Sequence, residues 1–231
     1  MLFVISATLA GMSMAETRAV LWDMDGVLVD SIDYHYEAWR LAMQREGRQL
    51  THADFKRTFG QRNDTVLRDM LDPHISAADI TRIADFKEAT YRALVRERGI
   101  APLPGVLRWL GVLREAGWKQ AVASAAPRAN VEAILDAMSI HGFFDALASA
   151  EDVTRGKPDP QVYLVAAARV GAVPARSIVV EDAPAGVEGA KRAGMKRIGV
   201  RSTHGELEAD IVVDSLDHLP PNSFEQLIKA E

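Results

Sequence analysis

Two aspartates at the end of an apolar run are the residues of this chain best suited to chemistry. The segment RAVLWDMDGVLVDS, residues 18–31, places Asp23 and Asp25 two residues apart and follows them with Gly26. Two carboxylates this close do not both stay ionised without compensation, which calls for a divalent cation or a bound proton. A carboxylate nucleophile and an acid/base partner operate under those conditions. The spacing therefore favours phosphoryl transfer.

A surface turn is the alternative interpretation of these residues, since aspartate and glycine are common turn formers. However, the apolar residues before Asp23 predict a buried strand, and open α/β sheets bind ligands at the carboxyl ends of their strands. An EF-hand calcium loop is excluded because its glycine is the sixth residue, whereas Gly26 is the fourth counted from Asp23.

Three later segments also place polar side chains after predicted strands. Ser124 follows an apolar run and precedes a predicted helix, where free backbone N–H groups suit a phosphate. Lys157 lies in a proline-containing loop that would aim its ammonium inward to neutralise phosphoryl charge. Glu181 and Asp182 end another apolar run and offer the hard oxygen ligands that Mg²⁺ prefers.

Each of these three signals has an ordinary structural explanation when it is taken alone. Ser124 and Asp182 suit helix N-caps, and Lys157 suits a solvated position at a helix entrance. Parallel strands, however, bring their carboxyl ends to one edge of a sheet. The joint occurrence of all four segments therefore predicts a single phosphoryl-transfer site.

Helix and strand signals alternate from residue 104 onward, as a doubly wound parallel sheet requires. Predicted helices cover 104–116, 127–139, 158–170 and 184–193, and predicted strands cover 118–123, 145–149, 177–180, 197–200 and 210–213. By contrast, residues 34–98 lack a strong strand signal and are rich in helix formers. Within them, 76–98 predicts a long amphipathic helix that ends at Gly99. We therefore expect a helical insert after the first strand.

The composition narrows the class of protein and its partners. With 48% hydrophobic residues, 26% charged residues and a net charge of −5, the chain is an ordinary globular protein for which neither nucleic acid nor a membrane is expected as a partner. The absence of cysteine excludes thiolate catalysis and Cys-ligated zinc and is compatible with a reducing cytoplasm, where we place the protein. Residues 1–15 contain an apolar run too short to span a bilayer, and we interpret them as a disordered extension, with Met12 or Met14 as alternative starts.

Four segments resemble, in order, the four motifs of the haloacid dehalogenase (HAD) superfamily: Asp23 to Gly26, Ser124, Gly156 to Pro158, and Glu181 with Asp182. The resemblance extends over about residues 18–213, and residues 30–39 are similar to the β-phosphoglucomutase-like branch. It implies an α/β fold with a Rossmann-like doubly wound core, residues 16–33 and 100–231, and an inserted α-helical cap, residues 34–99.

The resemblance also implies a role for each matching residue. Asp23 would be the nucleophile that forms an aspartyl-phosphate, and Asp25 the acid/base that protonates the leaving alkoxide and then activates water. Ser124 and Lys157 would hold the phosphoryl oxygens. Mg²⁺ would be held by Asp23, the backbone carbonyl of Asp25, Glu181 and Asp182.

Four further residues are predicted to contact the substrate: His35, Arg62, Ala125 and Arg128. His35 resembles a residue at the cap entrance of mutases, and Arg62 would bind a second phosphate. In the ordinary alternative, His35 is a core residue of the cap and Arg62 a solvated helix charge.

Two reactions compete at this site, hydrolysis of a phosphate ester and transfer of the phosphoryl group within a sugar phosphate. Asp25 argues against dehalogenation, since dehalogenating relatives lack the second aspartate. Ala126 and Pro127 replace the Ser-Lys pair of mutases, and the mutase cap lysine has no clear counterpart, because Lys87 and Arg92 are both candidates and a gap is required. The loss of a clamp for a second phosphate favours water as the acceptor.

We therefore predict a Mg²⁺-dependent phosphatase of a small phosphorylated metabolite such as a sugar phosphate. A phosphomutase is the alternative, and a catalytically silent protein that senses a phosphorylated metabolite is the third hypothesis. The sequence is compatible with a monomer and does not determine the oligomeric state.

Overall fold

The structure is a computed structural model that describes residues 16–58 and 61–229 of the 231-residue chain. The predicted extension 1–15, with the alternative starts at Met12 and Met14, lies outside the described residues.

The centre of the molecule is a sheet of parallel strands: β1 (Ala19–Trp22), β2 (Lys119–Ala123), β3 (Ala146–Ala148), β4 (Ser177–Glu181), β5 (Lys196–Val200) and β6 (Ile211–Val213). Their order in the sheet is β3-β2-β1-β4-β5-β6, which confirms the predicted doubly wound topology. At the last residue of β1, Trp22 pairs with Val122 of β2 and with Val180 of β4. The residues that follow these three strands therefore meet at one edge.

Helices occupy most of the remaining described residues: α1 (Ile32–Arg45), α2 (His52–Thr58), α3 (Asn63–Met70), α4 (Ala77–Arg98), α5 (Val106–Glu115), α6 (Arg128–Ala137), α7 (Gln161–Arg169), α8 (Pro184–Arg192) and α9 (Ser223–Lys229). The first four lie between β1 and β2 and form the expected helical insert. The helix predicted from residue 158 begins only at Gln161, because Pro158 and Pro160 disfavour helical backbone in the residues before them. No helix of the described residues combines the length and apolar character needed to cross a membrane.

The sheet is buried on both faces, as its central position requires. Along β1, Val20 and Trp22 belong to one hydrophobic cluster, and Ala19 and Leu21 belong to another on the opposite face. All four side chains are fully buried. Successive side chains of a strand point to opposite faces, so this apolar run supports two helical layers at once.

The helical insert has a small core of its own. Residues of α1 to α4 form a third cluster that includes Trp39, Phe55 and Ile83. The second half of α4 does not belong to it, because Leu94 and Val95 pack into the main cluster on one face of the sheet. One helix therefore contributes to both cores.

Candidate active site

Asp23 lies at the carboxyl end of β1, the central strand. Its backbone N–H donates to the carbonyl of Val180 at 3.0 Å, which continues the ladder one residue beyond the strand. The chain then turns at Gly26, whose φ is +85°. A Cβ on Gly26 would lie 2.1 Å from Asp182 Oδ2, so this position requires glycine for both its conformation and its close approach.

Lys157 binds two carboxylates at the carboxyl ends of neighbouring strands. Its Nζ lies 2.5 Å from Asp23 Oδ1 and 2.5 Å from Glu181 Oε1. Burial alone would lower the pKa of Lys157, but Asp23 and Glu181 raise that pKa well above its ordinary value. The lysine is therefore a fixed positive charge beside Asp23.

Glu181 is held by four donors. Its Oε1 accepts from Lys157 and from the hydroxyl of Tyr163 at 2.8 Å, and its Oε2 accepts from the backbone N–H groups of Asp182 and Ala183 at 2.9 Å. Burial alone would raise the pKa of Glu181, but the charge and hydrogen bond of Lys157 lower it. Glu181 is thus an ionised, fixed carboxylate at the end of β4.

The cluster carries more negative than positive charge. Asp23, Glu181 and Asp182 each place a carboxylate oxygen within 4.8 Å of the others, and Lys157 balances only part of their charge. Burial, followed by the charge of Glu181, raises the pKa of Asp182 to about 7, and burial also raises the pKa of Asp23 although Lys157 opposes it. A divalent cation with hard-oxygen preference fits these ligands, because it would neutralise the excess charge.

Asp25 belongs to a second group of side chains. Its Oδ1 accepts from the hydroxyl of Ser31 and lies 3.7 Å from His35 Nε2. Burial alone would raise the pKa of Asp25, but its interaction with His35 and the hydrogen bond from Ser31 lower it. His35 is itself held by stacking on Tyr91, with ring centroids 4.2 Å apart. The two aspartates therefore have different electrostatic surroundings, which suits different roles.

The structure distinguishes the two candidates for a cap lysine. Lys87 is buried in α4, and its Nζ lies 3.2 Å from His35 Nδ1 and 2.9 Å from Glu88 Oε1. Arg92 donates instead to Asn130 of α6 at 2.9 Å. Lys87 therefore connects to Asp25 through His35, and Arg92 does not.

Ser124 lies at the end of β2, beside β1. Its backbone N–H donates to Ala148 of β3 at 3.0 Å, and its hydroxyl oxygen accepts from the N–H of Ala126 at 3.0 Å. The next residue, Ala125, is exposed in the loop that leads to α6. This loop has the position expected for a phosphate-binding loop, and the phosphate contact of Ser124 and Ala125 stays a prediction.

Two predicted substrate contacts, Arg62 and Arg128, are paired with acids elsewhere. The exposed Arg62 lies 3.3 Å from Asp64, and Arg128 donates to Asp152 at 2.8 Å. Within the described residues, no ion pair joins either arginine to Asp23. Their contact with substrate stays a prediction.

Sequence reasoning missed several residues that support the site. Tyr163 and Thr203 are hydrogen-bonded to Glu181 and Asp182, and Ser31 is bonded to Asp25. Tyr163 has no signal in the sequence beyond an apolar position of α7. Ser31 lies five residues after Gly26, and nothing in its local sequence links it to Asp25.

Comparison with known proteins agrees with this geometry. A family model described as haloacid dehalogenase-like hydrolase matches residues 17–194. A validoxylamine A 7′-phosphate phosphatase of Streptomyces hygroscopicus subsp. limoneus is 30% identical, over 86% of this chain and 94% of that protein. A β-phosphoglucomutase of Bacillus subtilis is also 30% identical, over 85% of this chain and 88% of that protein.

A solved structure shows the same fold. It is a HAD hydrolase of family IA, variant 3, from Entamoeba histolytica, with a TM-score of 0.84 and 24% identity, and the alignment covers 92% of this chain and all of that one. The family match and the two relatives confirm the family that the four motifs indicate, and the solved structure confirms the fold. The chain belongs to the haloacid dehalogenase-like hydrolases.

Proposed function

We propose that this protein is a Mg²⁺-dependent phosphohydrolase of a small sugar phosphate and that it acts through an aspartyl-phosphate on Asp23. The observation that carries the proposal is the contact of Lys157 with Asp23 at 2.5 Å, beside a carboxylate cluster and opposite the separate group around Asp25. A buried carboxylate held by a fixed ammonium has the charge balance of a phosphoryl acceptor. When bound, Mg²⁺ would be held by Asp23, Glu181, Asp182 and the carbonyl of Asp25, and it would supply charge neutralisation for the phosphoryl group.

The residues of the chain divide the reaction between them. Asp23 attacks phosphorus, and Lys157 together with Ser124 holds the phosphoryl oxygens. Asp25 has a lowered pKa because His35 and Ser31 outweigh the effect of its burial. Arrival of a negatively charged phosphate raises that pKa again, so Asp25 gains the proton that it delivers to the leaving alkoxide. It then takes a proton from the water that hydrolyses the aspartyl-phosphate.

Water is the acceptor that the surrounding charges favour. A mutase that uses a sugar bisphosphate must bind a second phosphate, which needs a further cation at the substrate site, and an acid already paired with that cation competes with the phosphate. Lys87 lies 2.9 Å from Glu88, while Arg62 and Arg128 are paired with Asp64 and Asp152. Ala126 and Pro127 supply no charge in place of the mutase Ser-Lys pair.

A phosphomutase is the second candidate, favoured by one specific observation. Lys87 reaches His35, which lies beside Asp25, so a cap cation is coupled to the acid/base group. The relative from Bacillus subtilis carries the name β-phosphoglucomutase.

A catalytically silent sensor is the third candidate, and measurable turnover would exclude it. We propose a cytoplasmic location, which the cysteine-free composition supports. We also propose that the enzyme is a monomer and that its binding partner is the small phosphorylated substrate.

Phosphorus NMR distinguishes the three candidates in one experiment. The purified protein is incubated with Mg²⁺, a panel of hexose and pentose phosphates, and a trace of the matching sugar bisphosphate. Growth of inorganic phosphate supports the phosphatase and identifies its substrate class. Conversion of one phosphomonoester signal into another without free phosphate establishes the mutase. An unchanged spectrum across the panel contradicts both enzymatic proposals.

A further inference from the structure

A buried hydrogen bond joins the helical insert to the core at a distance from the reacting aspartates. Glu88 of α4 and Asn130 of α6 are 7% and 0% exposed. Glu88 Oε2 accepts from Asn130 Nδ2 at 2.6 Å, and Asn130 Oδ1 accepts from Arg92 Nη1 at 2.9 Å. We call the Glu88–Asn130 contact the α4–α6 bridge. The proposed reaction mechanism assigns it no role.

The other oxygen of Glu88 anchors Lys87. Glu88 Oε1 accepts from Lys87 Nζ at 2.9 Å and from Asn63 Nδ2 of α3 at 2.8 Å. Burial alone would raise the pKa of Glu88, but Lys87 and the two amides lower it. The ionised carboxylate of Glu88 therefore accepts hydrogen bonds from residues of α3, α4 and α6.

This set of contacts leads to the acid/base group. Lys87 Nζ lies 3.2 Å from His35 Nδ1, and His35 Nε2 lies 3.7 Å from Asp25 Oδ1. The insert thus meets the core through polar contacts at two places, at Asn130 and at Asp25. Asn130 stands in the first turn of α6, directly after the loop that begins at Ser124.

We propose that Glu88 and Asn130 are positioning residues, whose bridge holds the insert against the core and fixes Lys87 toward His35 and Asp25. A lysine side chain has large rotational freedom, and a buried partner in a fixed place removes it. Asn130 fixes Glu88, because losing one partner of a buried hydrogen bond leaves the other polar group unsatisfied. The inference rests on the proposed phosphatase function for its kinetic readout, and it has a structural readout that is independent of turnover.

The bridge is tested by exchanging its donor and acceptor. Glu88→Gln alone adds an amide donor where Asn130, Lys87 and Asn63 already supply donors, so one donor faces another in either amide orientation. Asn130→Asp alone places two carboxylates face to face. The double variant E88Q/N130D restores one N–H···O bond in the opposite direction, and the new carboxylate at position 130 still accepts from Arg92. We expect each single variant to lower kcat about tenfold or more with little change in KM. The double variant should recover part of the loss, because the bridge is restored while the oxygen that accepts from Lys87 no longer carries a charge.

The structural readout is the distance between insert and core. The chain contains no cysteine, so Lys56→Cys on α2 and Lys191→Cys on α8, both exposed positions, provide specific sites for spin labels. Each single bridge variant should broaden the distance distribution measured by pulsed electron resonance, and the double variant should narrow it again. If wild type releases no phosphate, the proposed function fails, while these distances still decide whether the bridge holds the insert.

Two results overturn the inference. One is unchanged kcat and unchanged distances in both single variants, and the other is a double variant whose loss equals the product of the single losses. Glu46→Gln is the matched control, since it breaks an exposed ion pair with Arg82 inside the insert and should leave kcat and distances unchanged. If a single variant does not fold, hydrogen exchange of the Asn130 side-chain amide is measured in the wild-type protein instead. A slow rate supports the bridge, and a solvent-like rate contradicts it.

Discussion

Asp23 is the side chain on which the proposed chemistry depends most directly. Asp23→Asn keeps the size of the side chain but removes the nucleophilic carboxylate. We expect phosphate release to fall by about a thousandfold or more, because the substitution removes the carboxylate that accepts the phosphoryl group in the proposed reaction. Steady-state phosphate release gives the rate, and circular dichroism checks that the fold is kept.

The matched control for Asp23→Asn is Asp136→Asn. Asp136 is exposed on α6, so the same chemical change should leave turnover within about twofold of wild type. Substantial phosphate release by the Asp23→Asn variant would show that another residue is the nucleophile.

Asp182 gives the metal-free protein a pH dependence of stability. Its folded pKa of about 7 lies above its ordinary value of 3.8 because of burial, followed by the charge of Glu181. Between these values the folded state keeps a proton that the unfolded state has released. This contribution to the free energy of unfolding is full below about pH 4 and is lost as the pH rises toward about 7. Asp182→Asn removes that proton exchange, so the variant should lose less stability over this range.

Urea unfolding in a metal chelator, followed from pH 4 to pH 8, measures this difference. Parallel pH profiles of wild type and Asp182→Asn would contradict the elevated pKa. Added Mg²⁺ should stabilise wild type more at pH 8 than at pH 5, because a proton competes with the cation for Asp182.

At the scale of single elements, α8 tests how tightly a helix is fitted to the site. A Cβ at Gly186 would lie 1.9 Å from Glu181 Oε1. Gly186→Ala should therefore displace Glu181 and destabilise the protein by about 1–3 kcal/mol, despite the higher helix propensity of alanine. Gly111 of α5 is the matched control, since a Cβ there meets no atom within 4 Å, and Gly111→Ala should stabilise by about 0.5–1 kcal/mol. Urea unfolding measures both, and equal effects of the two substitutions would contradict the tight fit.

The elements that carry motifs could be predicted well from the sequence, and contacts between elements could not. Apolar runs that end in Asp23, Ser124 and Glu181 predict strands and their functional ends, because hydrophobic pattern and turn residues are local signals. The hydrogen bond of Tyr163 to Glu181 has no local signal, since it depends on how α7 packs against the sheet. The choice of Lys87 over Arg92 likewise depends on the rotation of α4, which only the tertiary contacts define.

On the scale of the whole molecule, α4 connects two hydrophobic cores. Ile83, in the first half of α4, packs with the helices of the insert. In the second half, Tyr91, Leu94 and Val95 pack with the main cluster. A helix shared in this way cannot leave one core without exposing apolar residues of the other. The predicted bounds of the insert, residues 34–99, therefore separate insert and core along the chain only. In the folded protein, α4 contributes to the hydrophobic cores of both.

This sharing predicts that insert and core unfold together. Ile83 lies in the insert cluster and Ile134 in the main cluster, at 2% and 0% exposure, so Ile83→Ala and Ile134→Ala form a matched pair. Each substitution should cost about 2–5 kcal/mol and move one common transition to lower temperature in calorimetry, with equal calorimetric and van't Hoff enthalpies. If Ile83→Ala instead produced a separate early transition and left the main one in place, the insert would be an independent folding unit. The insert and the core would then be separately stable bodies, and the α4–α6 bridge would contribute less to their alignment.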